Sequence, residues 1–315
     1  MLKTTFLNNV LNQYKIKPYL VLLFLIIFSS ITFSETKLVI LGSGTPNPDP
    51  NRFGSGYAII VNEKAYIVDF GPGIVRRISA MSPSWGGEFS AMELENINIA
   101  FLTHIHSDHS GALADLILTP WVMGRDEPLK LFGPQGLKKM AKKITEAYED
   151  DINYRLYGTQ PANKLGYLTN VSEIFDDGLI YKDDNVEVIA FKNSHGDLED
   201  SFGYLFETND KKILFSGDTA VSENLKKYGK NLDILVHEVF SSETFENKTK
   251  EWQIYHKAHH TSSIDLGKIA NELKPNKLVL SHILFWGASS ESLLSDISQN
   301  FNGTSIIAED LLVID

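Results

Sequence analysis

The chain has 315 residues, 43% of them hydrophobic and 22% charged, a formal net charge of -11 and no cysteine. That length and apolar content allow one domain with a substantial core and no disulfide framework. The acidic balance lacks the broad attraction to phosphate backbones that nucleic-acid binders use, which argues against a large RNA substrate.

Residues 1–34 stand apart. They hold Lys3, Lys15 and Lys17 and no acidic residue, then an apolar stretch over 19–28, then small residues at Ser29, Ser30, Thr32 and Ser34. A basic region, a short apolar core and small residues make a secretory signal peptide, with a retained membrane anchor as the alternative. Residues 35–315 are then a single periplasmic or secreted domain, in contact with a membrane only if the leader is retained. Loss of the three leader lysines takes the formal charge to -14.

Residues 37–41 read as a strand running into Gly42-Ser43-Gly44-Thr45-Pro46, a loop of a kind that can cradle phosphate, with no following Lys-Ser/Thr, which argues against a nucleotide P-loop. Residues 57–61 and 65–69 form a hairpin through Asn62-Glu63-Lys64. A helix is expected over 74–80, a loop over 82–87, a strand over 97–102 and a helical stretch over 112–118. A strand at 129–132 follows, then a helix over 137–148 with Leu137, Met140, Ile144 and Tyr148 on one face. The polar segment 149–166 reads as a surface loop near the active-site mouth.

His104-Ile105-His106-Ser107-Asp108-His109 follows the strand at 97–102. Imidazole nitrogen and carboxylate oxygen are ligands that Zn²⁺ and other first-row metals prefer. In an extended segment His104 and His106 point the same way and can grip one ion, while Asp108 and His109 come after a turn and face a second. A solvated His-rich loop is the bland alternative. Against it, four later apolar runs end in the same residue types, at His195, Asp218, His237-Glu238 and His282. Function in α/β folds gathers at one set of strand ends.

His-x-His-x-Asp-His after a strand resembles the metal-binding signature of the metallo-β-lactamase superfamily. Leu41-Gly42-Ser43-Gly44-Thr45-Pro46, the segment around His237-Glu238 and His260-Thr261-Ser262 are similar to its ribonuclease Z branch. The resemblance spans residues 37–282 and implies a four-layered αβ/βα sandwich, two mixed sheets faced by helices. It implies that His104, His106 and His195 hold one metal, that Asp108, His109 and His282 hold another, and that Asp218 bridges them. The cofactor is then a pair of divalent ions, Zn²⁺ first and Mn²⁺ second. Asp69, in Asp69-Phe70-Gly71, matches a turn whose Asp braces the metal site by hydrogen bonds. His260 is implied as the proton donor to the leaving oxygen, oriented by Glu238, with an imidazole pKa raised toward neutrality by that carboxylate. Asp108 joins them as a catalytic group through the bridging water. His259 stays open as a substitute for His260, and His237 and His256 are read as structural or surface residues.

Two departures from the ribonuclease Z pattern matter. Only 23 positions separate His195 from Asp218, enough for a tight hairpin and not for a tRNA-gripping arm, and the leader removes the chain from tRNA. The expectation is therefore a binuclear hydrolase of a small anionic phosphodiester or sulfate ester, similar to exported arylsulfatases, with no stable nucleic-acid partner. A tRNA 3′-end endoribonuclease is the alternative within enzymes, and a non-catalytic metal-binding protein the alternative outside them. Lactone and β-lactam hydrolysis fit the segments at Glu238 and His260 less well. Arg125 and Lys130 either supply positive charge to the substrate or, for Arg125, make an ordinary surface ion pair. Relatives of this kind commonly form homodimers.

Overall fold

The computed structural model describes residues 35–315, and the leader reading of residues 1–34 lies outside them. The first sheet comprises β1 (Lys37–Gly42), β2 (Gly56–Val61), β3 (Lys64–Val68), β4 (Ile99–Phe101), β5 (Leu129–Pro134), β6 (Thr169–Ile174) and the short β14 (Val313–Ile314), in the order β14-β1-β2-β3-β4-β5-β6. It is antiparallel from β14 to β3 and parallel from β3 to β6. The second comprises β7 (Gly178–Lys182), β8 (Val186–Lys192), β9 (Phe202–Thr208), β10 (Lys212–Phe215), β11 (Ile234–Phe240), β12 (Lys277–Leu284) and β13 (Thr304–Ile307), in the order β13-β12-β11-β10-β9-β8-β7. It is antiparallel from β7 to β10 and parallel from β10 to β13.

Side chains alternate across a strand, and β1 shows the consequence. Leu38 and Ile40 join the apolar cluster between the sheets, with Phe101, Phe206 and Val279. Val39 and Leu41 join a second cluster, under the helices Ile74–Ala80, Leu113–Val122 and Leu137–Ala147. A third cluster lies under the helices Ser263–Leu273 and Ser290–Ser298, against the other face of β11 and β12. The result is the expected four-layered sandwich. One polar latch also joins the sheets. The Asp183 carboxylate accepts from Lys64 Nζ at 2.6 Å and from the hydroxyls of Tyr66 at 2.7 Å and Tyr181 at 2.8 Å.

Three expectations need correction. Residues 149–166 are not simply a loop, because the helix Glu149–Tyr157 occupies half of them. Its acidic first turn and Arg155 in the last turn suit the helix dipole, and Ile152 packs under the outer layer of the first sheet. None of the segment lines the cleft described below.

Arg125 is neither a surface ion-pair partner nor a substrate cation. It is 1% exposed and donates to the backbone carbonyls of Ile97, Leu116, Ile117 and Gly166 at 2.7–3.1 Å. The reason lies in the helix Leu113–Val122, which continues through Pro120. Proline has no N–H, so the carbonyl of Leu116, four residues earlier, loses its helical donor. The guanidinium replaces it, and burial pulls its pKa down to about 10. Lys130 is half-buried in β5, away from the cleft lining.

Finally, the strand before the hexapeptide is shorter than expected, Ile99–Phe101. The span between His195 and Asp218 is the predicted hairpin, β9 paired antiparallel with β10.

Candidate metal centre and its cleft

β4 delivers the hexapeptide, and a four-residue helix, Ser107–Ser110, turns the chain so that Asp108 and His109 face back toward His104. Asp69 follows β3 in the left-handed region, at φ 58. Its buried carboxylate accepts from the Thr103 amide at 2.8 Å, from the Thr103 hydroxyl at 3.0 Å and from His109 Nδ1 at 2.7 Å. The Thr103 hydroxyl in turn accepts from His104 Nδ1 at 3.0 Å. With their Nδ1 protons committed in this way, His104 and His109 both turn Nε2 inward, the atom each can offer to a metal. The second sheet supplies the rest. His195 follows β8, Asp218 follows β10, and His282 lies within β12 at a positive φ of 45. His195 is held from behind, its Nδ1 donating to the His259 carbonyl at 2.9 Å.

All seven residues expected as metal ligands come together. His106 Nδ1 is 3.1 Å from His104 Nε2 and 3.2 Å from His195 Nε2. Asp108 Oδ2 is 2.9 Å from His282 Nε2 and 3.5 Å from His109 Nε2. Asp218 stands between the groups: Oδ1 is 3.4 Å from His109 Nε2, and Oδ2 is 3.5 Å from His282 Nε2 and 4.0 Å from His104 Nε2.

These donors fit divalent cations. A tetrahedral ion with Zn–N bonds of about 2.0–2.1 Å sets its ligand nitrogens roughly 3.3 Å apart, close to the spacing of the three-histidine group. His109 Nε2 and Asp218 Oδ1 are buried with no hydrogen-bond partner, although buried polar atoms are nearly always paired. Nitrogen and carboxylate donors without sulfur suit first-row divalent metals.

The charges point the same way. Burial holds His104 well below the ordinary imidazole pKa and brings His195 down to about 4. At His109 burial works in the same downward sense, but the carboxylates of Asp218, Asp69 and Asp108 outweigh it and raise the pKa well above normal. His282 is likewise raised by Asp218 and Asp108 against the effect of burial. Asp108, despite burial, falls to about 2 beside His109 and His282. Two buried carboxylates thus draw protons onto imidazoles that face them, where a bound cation would balance the same charge.

His260, not His259, faces Glu238: Nδ1 lies 3.3 Å from Glu238 Oε2, while Glu238 Oε1 accepts from the Thr261 amide at 2.7 Å. The His259 ring instead stacks on Tyr255 at 4.0 Å. The expected raised pKa of His260 is wrong. Burial brings it down to about 4, outweighing the neighbouring carboxylates, and burial together with the Asp218 charge pushes Glu238 well above the carboxylate range. Both shifts favour a neutral imidazole beside a neutral carboxyl. His260 is also near enough to Asp218 and His282 to act as a ligand itself.

A cleft of about 420 Å³ opens over this centre. His106, Asp108, Asp218, His260 and His282 line its inner end, and Trp252, Tyr255, His256 and Trp286 line its wall. The sequence reading missed that wall. It took His256 as structural or surface and passed over the aromatic density of Trp252, Tyr255 and His256, the one signal that could have found it. His237 is fully buried, its Nδ1 2.6 Å from the Glu238 carbonyl oxygen.

A family model described as "Anti-Pycsar protein Apyc1" matches residues 36–282. The ribonuclease Z of Mycobacterium bovis (strain BCG / Pasteur 1173P2) is 26% identical over 258 residues, covering 78% of this chain and 85% of that protein. The metallo-β-lactamase fold protein YhfI from Bacillus subtilis superposes with a TM-score of 0.69 at 18% identity, over 90% of this chain and all of its own. The short form of human tRNase Z (ELAC1) superposes with a TM-score of 0.65 at 21% identity, over 89% of this chain and 98% of its own.

Proposed function

The chain belongs to the Anti-Pycsar protein Apyc1 family and to the metallo-β-lactamase-fold superfamily, and from that premise we propose that it hydrolyses a small phosphodiester or sulfate ester at two divalent metal ions, Zn²⁺ first and Mn²⁺ second. It is a metal-dependent hydrolase of ester bonds. The observation that carries the finer reading is the meeting of seven donors from both sheets at the base of one cleft, with Asp218 within 4.0 Å of nitrogens in both groups.

His104, His106 and His195 would hold one ion and Asp108, His109 and His282 the other, with Asp218 shared. Bound there, such ions supply Lewis-acid stabilisation and an activated water nucleophile. The chain's own residues do the rest. Asp69 fixes the tautomers of His109 directly and of His104 through Thr103, so one ligand of each group depends on a single carboxylate. Glu238 and His260 act as the proton store. His260 Nδ1 takes the carboxyl proton of Glu238 while Nε2 releases its own to the leaving oxygen, a tautomer shift that leaves no charge on the imidazole. Asp108 contributes chiefly as a ligand, its Oδ2 beside His282 Nε2.

An RNA substrate is the second reading, favoured by the likeness to a protein named ribonuclease Z. The net charge of -11 and the plain β9–β10 hairpin weigh against it. One panel separates the readings: metal-loaded protein against bis-p-nitrophenyl phosphate, p-nitrophenyl sulfate, a lactone, nitrocefin and a precursor tRNA. Turnover of the first or second, abolished by chelator and restored by metal, is expected. Site-specific cleavage of the precursor tRNA at physiological salt, faster than any small ester, would replace the small-ester reading. No turnover of any substrate would leave a metal-binding protein. The export reading is tested separately, by N-terminal sequencing of the native protein: a start near Glu35 supports it, and an intact chain in the cytosol overturns it.

A further inference from the structure

Residues 44–53 form the loop between β1 and β2, and its ends meet, the Gly44 amide donating to the Phe53 carbonyl at 2.7 Å. Compact loops closed at the neck commonly carry function. This one is stiff. Pro46, Pro48 and Pro50 restrict its backbone. The Thr45 hydroxyl accepts from the Asn47 amide at 3.3 Å and from its carboxamide at 3.0 Å, and the Asp49 carboxylate accepts from the Asn51 amide at 2.9 Å. Residues 46–51 are exposed, and Pro46 and Asn47 line the cleft over the metal centre.

The neck of this loop hangs from the far end of the chain. Asp310 Oδ1 accepts from the Ser43 amide at 3.0 Å and from the Ser43 hydroxyl at 2.8 Å, while Oδ2 accepts from the Phe53 amide at 2.9 Å. One carboxylate, its side chain 5% exposed, thus bonds both ends of the loop. Arg77 Nε stands 3.4 Å from the same Oδ2, and its guanidinium lies over the Phe53 ring at 4.0 Å. Arg52 donates to the Ser43 hydroxyl at 2.9 Å and to the Ala308 carbonyl at 2.8 Å. None of these partners is one of the seven metal donors. Asp310 also lies outside residues 36–282, which the family model matches.

We propose that Asp310 is a positioning residue for the substrate. By holding both ends of the loop it sets where Asn47 stands in the cleft, and Asn47 contacts the part of the bound ester that projects from the ionic end. Asp310 itself touches neither substrate nor metal. The inference rests on the hydrolase reading above. The connection between β13 and β14 is then part of the support of the binding site.

The test measures hydrolysis of bis-p-nitrophenyl phosphate by the Zn²⁺-loaded full chain, in wild type, Asp310→Ala, Asp310→Asn, Asn47→Ala and the double variant Asp310→Ala/Asn47→Ala. Binding of methylphosphonate, by calorimetry, reports on the ionic end alone. Asp310→Ala and Asn47→Ala are each expected to raise KM roughly 5–10-fold with kcat within about twofold. The double variant should raise KM hardly more than either alone, because both changes remove the same contact. Asp310→Asn keeps an oxygen for Ser43 but turns an NH₂ toward the Phe53 amide, so its KM should fall between wild type and Asp310→Ala. It carries the same comparison if Asp310→Ala does not fold. Metal content and methylphosphonate affinity should stay at wild-type values. Full multiplication of the two KM effects in the double variant overturns the proposal, because Asp310 would not act through Asn47. An Asp310 variant with lowered stability in urea and unchanged KM also overturns it and makes the carboxylate purely structural. Changed metal content or methylphosphonate affinity in an Asp310 variant moves its effect to the metal centre, again against the proposal. Wild-type protein that neither turns over the diester nor binds methylphosphonate takes down the hydrolase reading and the proposal with it.

Discussion

Asp69→Asn isolates the logic of the metal centre in one atom. Asparagine tolerates the left-handed backbone at φ 58, so the substitution adds little strain. Its carboxamide keeps one acceptor and replaces the other with a donor. If the oxygen stays with the Thr103 amide, the new NH₂ faces His109 Nδ1, now 2.7 Å from a carboxylate oxygen. Two donors cannot share that contact, so His109 must move its proton to Nε2, the atom that faces Asp108 and Asp218. A protonated Nε2 cannot bind a metal. Loss of a partner behind a ligating histidine lowers metal affinity by about 10–100-fold, or about 1.4–2.7 kcal/mol. The metal-free fold loses one charge-assisted bond, about 1–3 kcal/mol. Chelator competition measures the first quantity, and urea unfolding of metal-free protein measures the second. Wild-type affinity for both ions in a folded Asp69→Asn protein would refute the reasoning and reduce Asp69 to a turn residue.

Three further outcomes are expected. His260→Ala should retain both metals and lose about 10²–10⁴-fold on esters with poor leaving groups, but much less on p-nitrophenyl esters. Equal loss on both would move His260 to substrate binding, and loss of metal would make it a ligand. Arg125→Met should cost roughly 3 kcal/mol in urea unfolding, because several buried carbonyls lose their donor, while metal content per folded chain stays the same. A cost below about 1 kcal/mol would mean that the helix repairs the Pro120 gap without help. Asp183→Asn should cost about 2 kcal/mol at neutral pH by weakening the latch to Lys64, Tyr66 and Tyr181. Despite burial, these bonds hold the Asp183 carboxyl well below its ordinary range. Its stabilisation is complete above the unfolded carboxylate pKa of about 3.9 and is lost as pH falls toward the folded value. The difference between wild type and Asp183→Asn should therefore close in acid, and a pH-independent difference would contradict that assignment.

What could be read from the sequence was what spacing determines. The four layers were legible through the resemblance over residues 37–282, and β1 shows them in the structure, with Leu38 and Ile40 between the sheets and Val39 and Leu41 under the helices. The seven donors were legible because they follow four apolar runs, four of them together in one hexapeptide. Environment was not legible. His260 and Glu238 were correctly paired, yet their protonation was misjudged, because burial, which no residue type announces, outweighs the pairing. Arg125 was misread for a related reason. Its acceptors are backbone carbonyls at 97, 116, 117 and 166, and a carbonyl leaves no mark in a sequence. Pro120 was the one available clue, since a proline inside an apolar helical pattern demands a replacement donor. The helix Glu149–Tyr157 was missed because it buries little beyond Ile152 and so shows no apolar stripe.

The division of the donors between the sheets has a consequence for the fold. His104, His106, Asp108 and His109 hang from the first sheet, while His195, Asp218 and His282 hang from the second. Each proposed metal group draws on both, so neither can close unless the sheets keep their present offset. That offset is set by the apolar cluster between the sheets, where Phe101 meets Tyr204 at 5.9 Å and Phe206 at 5.3 Å, and by the Asp183 latch from the second sheet to Lys64 and Tyr66 of the first. Phe101 ends β4 three residues before His104, and Phe206 lies on the strand that pairs with β10, which Asp218 follows. Phe101 thus sits on a strand that leads into ligands, and Tyr204 and Phe206 sit on the strand between the two that lead to His195 and Asp218. Apolar packing fixes the spacing of the donors in advance, and a cation bound between them would tie the same two sheets a second time.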